Sequence, residues 1–279
     1  MAVVPAPPTL DVLMTALTAR AAAGLLVAIA IALAARRAGS LSGSGALAAV
    51  VVGTAAVVAG WGWGALLVLY FVTASAVSHL GAADKERRMS GIVAKGGARD
   101  VVQVLANGGV FALCALGTRC EWVDQHVIAA AAAGALAAAA ADTWATELGV
   151  LFGGTPRAVP GLHPVPPGTS GAVSMVGTAG MIAGALGIAV AARALSLTEA
   201  MGVVAIAGCT GAVADTLVGA VLQERRWCDA CNLATERRIH DCGAPTRRAG
   251  GVTVLDNDAV NLLATLVGGA TALLLAFAL

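Results

Sequence analysis

Eight long apolar stretches dominate the chain, and they restrict its fold more than any other feature does. Each is comparable in length to the roughly 20 residues that a helix needs to cross a hydrocarbon core of about 30 Å. Unpaired backbone groups are costly in lipid, so such stretches cross a bilayer as helices. The predicted spans are 13–35, 45–60, 64–80, 101–118, 127–150, 172–193, 199–222 and 258–278. The sequence therefore predicts an all-α polytopic membrane protein with about eight transmembrane helices.

The composition agrees with a membrane protein and excludes an ordinary soluble domain. Hydrophobic residues make up 58% of the 279 residues and charged residues 12%, with a mean hydropathy of +0.85. Soluble domains carry about 25% charged residues. We expect one integral membrane domain over 1–279, with the lipid bilayer as its surroundings. The net charge of +1 gives no reason to expect a nucleic-acid partner, and homo-oligomerisation is left open.

Basic residues lie on one side of the predicted topology. Fourteen lie in the loops 36–44, 81–100, 151–171 and 223–257 or at their edges, and only Arg20, Arg119 and Arg193 lie on the other side. Positive residues are enriched in cytoplasmic loops. We therefore expect a multi-pass protein of the cell membrane with both termini outside. Its functional loops, and any active site, would face the cytoplasm.

The two halves of the chain resemble each other. The segment 42–46 before the second span is similar to 168–174 before the sixth, and 99–103 is similar to 257–261. This pattern predicts two parallel four-helix repeats related by an axis along the membrane normal. Chance similarity among helices rich in Ala, Gly and Val is the alternative.

Four acidic residues lie within or at the ends of predicted spans: Asp142, Glu147, Asp215 and Asp258. Ionisable residues inside a membrane are costly and usually mark a functional site, although a buried ion pair is the alternative. Carboxylate and amide oxygens suit Mg²⁺. Asp142 and Glu147 are about 140° apart around a regular helix. Either the helix breaks near Gly149, or the two acids meet different partners or different metal ions.

Polar groups suited to phosphate lie at the starts of three spans. Asp100, Gln103 and Asn107 share one helix face, and Asn257 and Asn261 share another. The segments Lys95–Asp100 and Gly168–Gly171 are glycine-rich turns at predicted helix starts, where backbone N–H groups favour phosphate. Ordinary turns with helix caps are the alternative.

The last predicted cytoplasmic loop contains a cluster of soft ligands. Cys228 and Cys231 are followed by His240 and Cys242. Two tight pairs of this kind fit a tetrahedral structural Zn²⁺ site. Free thiols beside an unrelated histidine are the alternative. We expect the zinc to order the loop without taking part in the chemistry.

Taken together, these segments resemble the integral membrane family named "domain of unknown function 92". The resemblance covers about residues 20–279 and depends on 95–100, 103–109, 141–149, 168–174 and 255–261. Two departures are visible, because Ser170 and Ala214 stand where Asn and Gly are usual. The family includes the plant phytyl-phosphate kinase of tocopherol synthesis. The resemblance therefore implies an isoprenyl-monophosphate kinase that uses Mg²⁺ or Mn²⁺ and a nucleoside triphosphate, with CTP expected before ATP.

On this interpretation the acidic residues hold Mg²⁺ and the polar residues bind phosphates. Lys95 and Arg99 would bind the donor, Thr169 and Ser170 would line the phosphate loop, and the remaining side chains would bind or orient the two substrates: Asp100, Gln103, Asn107, Asn257 and Asn261. A cytidylyltransferase that makes a CDP-lipid is one alternative. A transporter or flippase for lipid-linked phosphate is the other, although the short outer loops argue against it.

Overall fold

The computed structural model describes residues 10–89, 92 and 97–279, with the side chains of 10–14 and 16 excepted. Nine helices are present in this part of the chain: α1 (Leu10–Arg37), α2 (Gly43–Ala59), α3 (Trp61–His79), α4 (Ala82–Met89), α5 (Val101–Gly117), α6 (Gln125–Phe152), α7 (Met175–Ala194), α8 (Met201–Val221) and α9 (Asn257–Ala278). The loops among the described residues contain five short strands: β1 (Arg157–Ala158), β2 (Ala172–Val173), β3 (Arg225–Cys228), β4 (Leu233–Thr235) and β5 (Arg247–Gly250).

Helix α6 is the centre of the molecule, and its alanines explain why. Every residue from Ala129 to Ala141 is buried. Their small side chains let neighbouring helices approach closely, as is usual inside membranes. A Cβ atom added to Gly184 of α7 would lie 2.7 Å from the carbonyl oxygen of Ala140, and one added to Gly211 of α8 would lie 2.5 Å from Ala138 Cβ. Helix α9 packs on a third side of α6.

The predicted spans match eight of these helices to within a few residues. Six are long and apolar enough to cross a membrane, namely α1, α3, α6, α7, α8 and α9. Helices α2 and α5 are apolar but have 17 residues each, which is at the lower limit for a crossing. Only Gly60 separates α2 from α3. Trp63, in the first turn of α3, is 5% exposed and packs edge-on against Phe111.

The helices that the predicted repeat pairs with each other have similar caps. The Ser42 and Ser174 side chains accept hydrogen bonds from Gly45 N and Gly177 N at the starts of α2 and α7. Asp100 and Asp256 cap α5 and α9 in the same way. The caps therefore pair Asp100 with Asp256. The sequence similarity of 99–103 to 257–261 instead pairs Asp100 with Asp258, two residues further along the chain. The packing differs, because α6 contacts α7, α8 and α9 while α1 packs mainly on α2.

The polar loops gather at one end of the helix bundle, which we call the polar end. Helix α4 lies there against the C-terminal part of α6. Strands β1 and β2 form an antiparallel pair, and β4, β3 and β5 form an antiparallel sheet in that order. None of these strands was predicted from the sequence. Connections at the other end are short, at 118–124 and 195–200.

Candidate functional site

The two acidic residues of α6 have different surroundings. The helix continues unbroken to Phe152, which excludes the alternative of a break near Gly149. Gly149 instead lets α7 approach, since an added Cβ would lie 3.2 Å from Ser174 Oγ and 3.3 Å from Gly177 Cα. On a continuous helix Asp142 and Glu147 point in different directions, and each meets its own partners.

Glu147 forms an ion pair that the sequence analysis missed. Its Oε2 atom lies 2.5 Å from Nζ of Lys85, a side chain that is only 3% exposed. Lys85 also donates hydrogen bonds to the carbonyl oxygens of Val77 (2.9 Å) and Ser78 (2.6 Å) near the end of α3. All three protons of the ammonium group are thereby used. One oxygen of Glu147, predicted as a metal ligand, is already bound to this cation.

Four carboxylates interact electrostatically at the polar end, two from α6, one from α8 and one from the loop after β4. Asp215 feels the charges of both Asp142 and Glu236, and Asp142 feels that of Glu147. Asp215 Oδ2 is buried and has no hydrogen-bond partner among the described residues. A buried carboxylate oxygen without a partner is costly, and like charges nearby add to the cost. A cation bound by Asp142 and Asp215 would remove both penalties.

Arg99 and Tyr70 lie next to this acidic group. The Arg99 guanidinium donates hydrogen bonds to Ser75 Oγ (3.1 Å) and Ser78 Oγ (3.0 Å) of α3. The Tyr70 hydroxyl lies close enough to Thr143, Arg99 and Asp142 to interact with all three side chains. A positive and a negative group therefore flank one buried phenol. Lys95, the other predicted phosphate ligand of this segment, lies outside the described residues.

Asp100 and Gln103, both predicted to bind phosphate, form the cap at the start of α5. Asp100 Oδ1 accepts hydrogen bonds from the N–H groups of Val102 and Gln103, both at 3.0 Å. Gln103 Oε1 accepts one from Asp100 N at 3.1 Å. This reciprocal capping box satisfies the start of α5. Asn107 lies one turn further along, and its Nδ2 donates to the Gln103 carbonyl oxygen at 3.0 Å.

The glycine-rich loop 168–171 packs on the end of α8, five residues beyond Asp215. Gly168 and Gly171 have positive φ angles, and a Cβ on Gly171 would lie 2.3 Å from Ala220 Cβ. Ser170 Oγ donates to Glu236 Oε1 at 2.5 Å, and Thr169 Oγ1 donates to the Pro166 carbonyl oxygen. The loop leads into β2, so the expectation that it directly starts a helix is wrong.

The start of α9 brings one further acidic residue to the polar end. Asp256 caps the helix by accepting from Ala259 N, a role that leaves Asp258 in the first turn, where it is 4% exposed. Asn257 is exposed and Asn261 is half-buried. Of the four predicted acidic ligands, Asp258 therefore has the smallest exposed fraction. Further along, Thr265 Oγ1 donates to the Ala106 carbonyl oxygen and holds α9 against α5.

An apolar cavity of about 90 Å³ lies between α1, α2, α3 and α5. Its walls are aliphatic and aromatic, with Ile31, Val52, Leu67 and Phe71 among them. Four polar side chains also line it: Tyr70, Arg99, Gln103 and Asn107. The cavity therefore combines an apolar body with a cationic group, and Tyr70 connects it to Asp142.

The cysteine and histidine cluster is brought together by the small sheet. One ligand atom from each of Cys228, Cys231, His240 and Cys242 lies within 4.8 Å of the others. Hydrogen bonds from the Ala244 backbone and from His240 lower the pKa of the Cys242 thiol to about 6. Cys231 shifts the opposite way, because its hydrogen bond to Cys242 raises its pKa to about 11. A thiolate is thus favoured at one position of the cluster.

Comparison with known proteins gives one family and several relatives. A family model described as integral membrane protein DUF92 matches residues 26–269. Protein PGR of Arabidopsis thaliana is 30% identical over 233 residues, which are 75% of this chain and 79% of that protein. An uncharacterized membrane protein of Synechocystis is 31% identical over 172 residues, covering 60% of this chain and 65% of the relative. One of Methanocaldococcus jannaschii is 28% identical over 208 residues, covering 73% and 72%. No solved structure shows significant similarity to the chain.

Proposed function

The chain belongs to the DUF92 family of integral membrane proteins, and from this premise we propose that it is a membrane-bound isoprenyl-monophosphate kinase. The enzyme would transfer the γ-phosphoryl group of a nucleoside triphosphate, CTP before ATP, to a prenyl or phytyl-type phosphate. The products would be a prenyl diphosphate and a nucleoside diphosphate. The polar end of the bundle would face the cytoplasm, where nucleotides are available.

The observation that supports this proposal best is the cavity that ends at Arg99. An isoprenyl phosphate has an apolar tail and an anionic head, and the cavity offers an apolar body beside a guanidinium group. Arginine suits phosphate because its planar fork donates several hydrogen bonds. The two serines that already orient Arg99 hold it at the end of the cavity. A purely polar substrate would leave these apolar walls without a role.

The neighbouring carboxylates fit a divalent cation. Asp142 and Asp215 interact with each other, and the partnerless Oδ2 of Asp215 is the kind of buried oxygen that a metal ion would satisfy. Asp258 lies at the same end and is buried. When bound, Mg²⁺ neutralises phosphate oxygens and aligns the donor with the acceptor. We assign Asp142 and Asp215 as its main ligands, with Asp258 nearby and Glu147 held chiefly by Lys85.

The proposed step needs little acid–base chemistry from the protein. An oxygen of the prenyl phosphate attacks the γ-phosphorus of the donor, and the bond between that phosphorus and the β,γ-bridging oxygen breaks. Since the attacking group is already an anion, no general base is required. Arg99, predicted from the sequence to bind the donor, would instead hold the acceptor because it lines the apolar cavity. The loop 168–171 would approach the donor with its backbone N–H groups. Catalysis is then positioning and charge neutralisation.

Two isotopic labels distinguish this reaction from its alternatives. The purified protein in lipid nanodiscs is given geranylgeranyl phosphate, Mg²⁺ and CTP labelled either at the γ- or at the α-phosphorus. We expect γ-label in the lipid product and α-label only in the nucleotide. ATP is tested in the same way. If no nucleotide labels the lipid, the kinase proposal is wrong.

The other outcomes correspond to the two rival functions. A cytidylyltransferase would place α-label in the lipid and release diphosphate. A transporter or flippase would leave both labels in the nucleotide, and would instead move a fluorescent prenyl phosphate between the leaflets of a vesicle. Either result would replace the proposed reaction.

A further inference from the structure

We propose that Cys228, Cys231, His240 and Cys242 bind one Zn²⁺ ion that forms the core of the small sheet β4-β3-β5. Cys228 and Cys231 lie at the turn from β3 to β4, and His240 and Cys242 lie in the turn before β5. The four ligand atoms come within 4.8 Å of one another. Three cysteines and one histidine form a common ligand set of closed, structural zinc sites.

Two of the separations between ligand atoms match those of a tetrahedral site. Cys228 Sγ and Cys242 Sγ are 3.7 Å apart, and His240 Nδ1 is 3.3 Å from Cys242 Sγ. With Zn–S near 2.3 Å and Zn–N near 2.0 Å, a regular tetrahedron gives about 3.8 Å between sulfurs and about 3.5 Å from nitrogen to sulfur. A disulfide would need about 2.05 Å between sulfurs, so the observed spacing is too wide for one.

The burial of His240 is an independent sign of a ligand. The residue is 7% exposed, and its ring nitrogen Nδ1 lies 3.3 Å from the sulfur of Cys242. Burying an imidazole in a small polar loop is costly unless it binds something. Cys228, at 0% exposure, is also fixed inside the cluster.

The sheet also lacks a hydrophobic core that could hold it together without a metal. Within residues 223–256, all of which the structure describes, Cys228 is the only fully buried hydrophobic side chain. The strands have four, three and four residues. Units of this size usually need a metal or a disulfide to fold, and metal binding then supplies the folding free energy.

The zinc-bound sheet would position Glu236 over the polar end. Glu236 directly follows β4, and its Oε1 accepts hydrogen bonds from Ser170 Oγ (2.5 Å) and Gln223 Nε2 (2.8 Å). Its backbone N–H donates to the Ile92 carbonyl oxygen. The sheet thus contacts the glycine-rich loop, and we infer a positioning role for the metal. Only this second part of the inference depends on the proposed function.

Elemental analysis of the purified protein tests zinc binding without any activity measurement. After dialysis against a weak chelator, we expect about one zinc per chain, as a four-ligand site requires. The Cys231→Ser variant changes an exposed side chain and should lose the zinc. Cys120→Ser, at the opposite end of the bundle, is the matched control and should keep it. Equal zinc in all three proteins, or none in the unchanged protein, would overturn the proposal.

Limited trypsin digestion tests whether the zinc orders the loop. Six arginines supply cleavage sites there: Arg225, Arg226, Arg237, Arg238, Arg247 and Arg248. We expect a strong zinc chelator to speed cleavage at these sites at least severalfold, and added zinc to restore protection. Cleavage that is insensitive to a demonstrated loss of zinc would show that the metal does not order the sheet. Co²⁺ exchanged into the site should give the visible absorption bands of a tetrahedral thiolate complex.

Discussion

At the scale of single residues, the Lys85–Glu147 pair shows how a charged side chain can be buried between the helices of a membrane protein. Lys85 belongs to the charged run Asp84–Arg88, which looks like a solvated surface in the sequence. Its ammonium group instead connects α4 to the last turns of α3 and α6. Removing one partner of a buried pair leaves the other charge uncompensated, which is more costly than losing the attraction alone.

Replacing Lys85 with methionine should therefore destabilise the protein markedly. We expect a loss of about 3 kcal/mol, at the low end for buried pairs because Glu147 is 23% exposed. Arg87→Met is the matched control, since the pair Arg87–Asp84 is exposed and is worth less than about 1 kcal/mol. Thermal unfolding in detergent measures both. The double variant Lys85→Met/Glu147→Gln should recover part of the loss, and similar losses for the Lys85 and Arg87 variants would contradict the buried pair.

Arg99 should matter for binding of the acceptor more than for folding. Because a hydrogen bond to a charged group contributes about 1.5–3 kcal/mol, Arg99→Gln should lower kcat/KM for prenyl phosphate about tenfold to a hundredfold, mainly through KM. Arg193→Gln, at the other end of the bundle, should leave the kinetics unchanged. Steady-state assays at varied prenyl phosphate concentration measure this. An unchanged KM in Arg99→Gln would remove Arg99 from the acceptor site.

Which site residues could be found from the sequence depended on how unusual each one is in its segment. Asp142 stands out after thirteen small or apolar residues, and an acid inside such a segment is rare enough to notice. Glu236 lies in a polar loop where an acidic residue is ordinary. Tyr70 looks like any aromatic residue of an apolar helix. Their roles depend on contacts with Ser170 and Thr143, which are far away in the chain.

At the scale of elements, two glycines on α7 allow the effect of close helix packing to be measured apart from the effect of helix propensity. An added Cβ on Gly184 would lie 2.7 Å from the Ala140 carbonyl oxygen, whereas one on Gly187 would meet nothing within 4 Å. Gly184→Ala must push α7 away from α6, so we expect a loss of about 1–3 kcal/mol. Gly187→Ala should be neutral or stabilising by up to about 1 kcal/mol. Thermal unfolding of both variants is the measurement, and equal effects would contradict the close contact between α6 and α7.

The boundaries of the helices could be predicted well from apolar length alone. The structure adds the capping residues, such as Asp124 and Asp256, which lie where α6 and α9 begin. The small strands could not be predicted, since β3 reads Arg-Arg-Trp-Cys and has no apolar alternation. The capping roles of Asp100 and Gln103 were visible as a sequence pattern but were interpreted as ligands. Polar residues at a helix start serve both purposes, and only their partners distinguish them.

At the scale of the whole molecule, the positive charges predict that the polar end faces the cytoplasm. Cys120 lies between α5 and α6 at the opposite end and is exposed. We expect a membrane-impermeant thiol reagent added to intact cells to label Cys120. The variant Cys120→Ser/Val254→Cys moves the reactive thiol to an exposed position at the polar end, where Val254 is 78% exposed. It should be labelled only after the cells are opened. The reverse pattern would invert the topology.

The central claim is that this protein transfers the γ-phosphoryl group of a nucleoside triphosphate to a lipid phosphate, at an acidic site beside an apolar cavity. Transfer of γ-label from CTP or ATP to geranylgeranyl phosphate, compared between the unchanged protein and Asp142→Asn, tests it most directly. Asp124→Asn is the matched control, because Asp124 caps the far end of the same helix and asparagine caps equally well. We expect labelled prenyl diphosphate from the unchanged protein and the control, and at least a hundredfold less from Asp142→Asn. No labelled lipid with either nucleotide, or equal labelling by all three proteins, would contradict the claim.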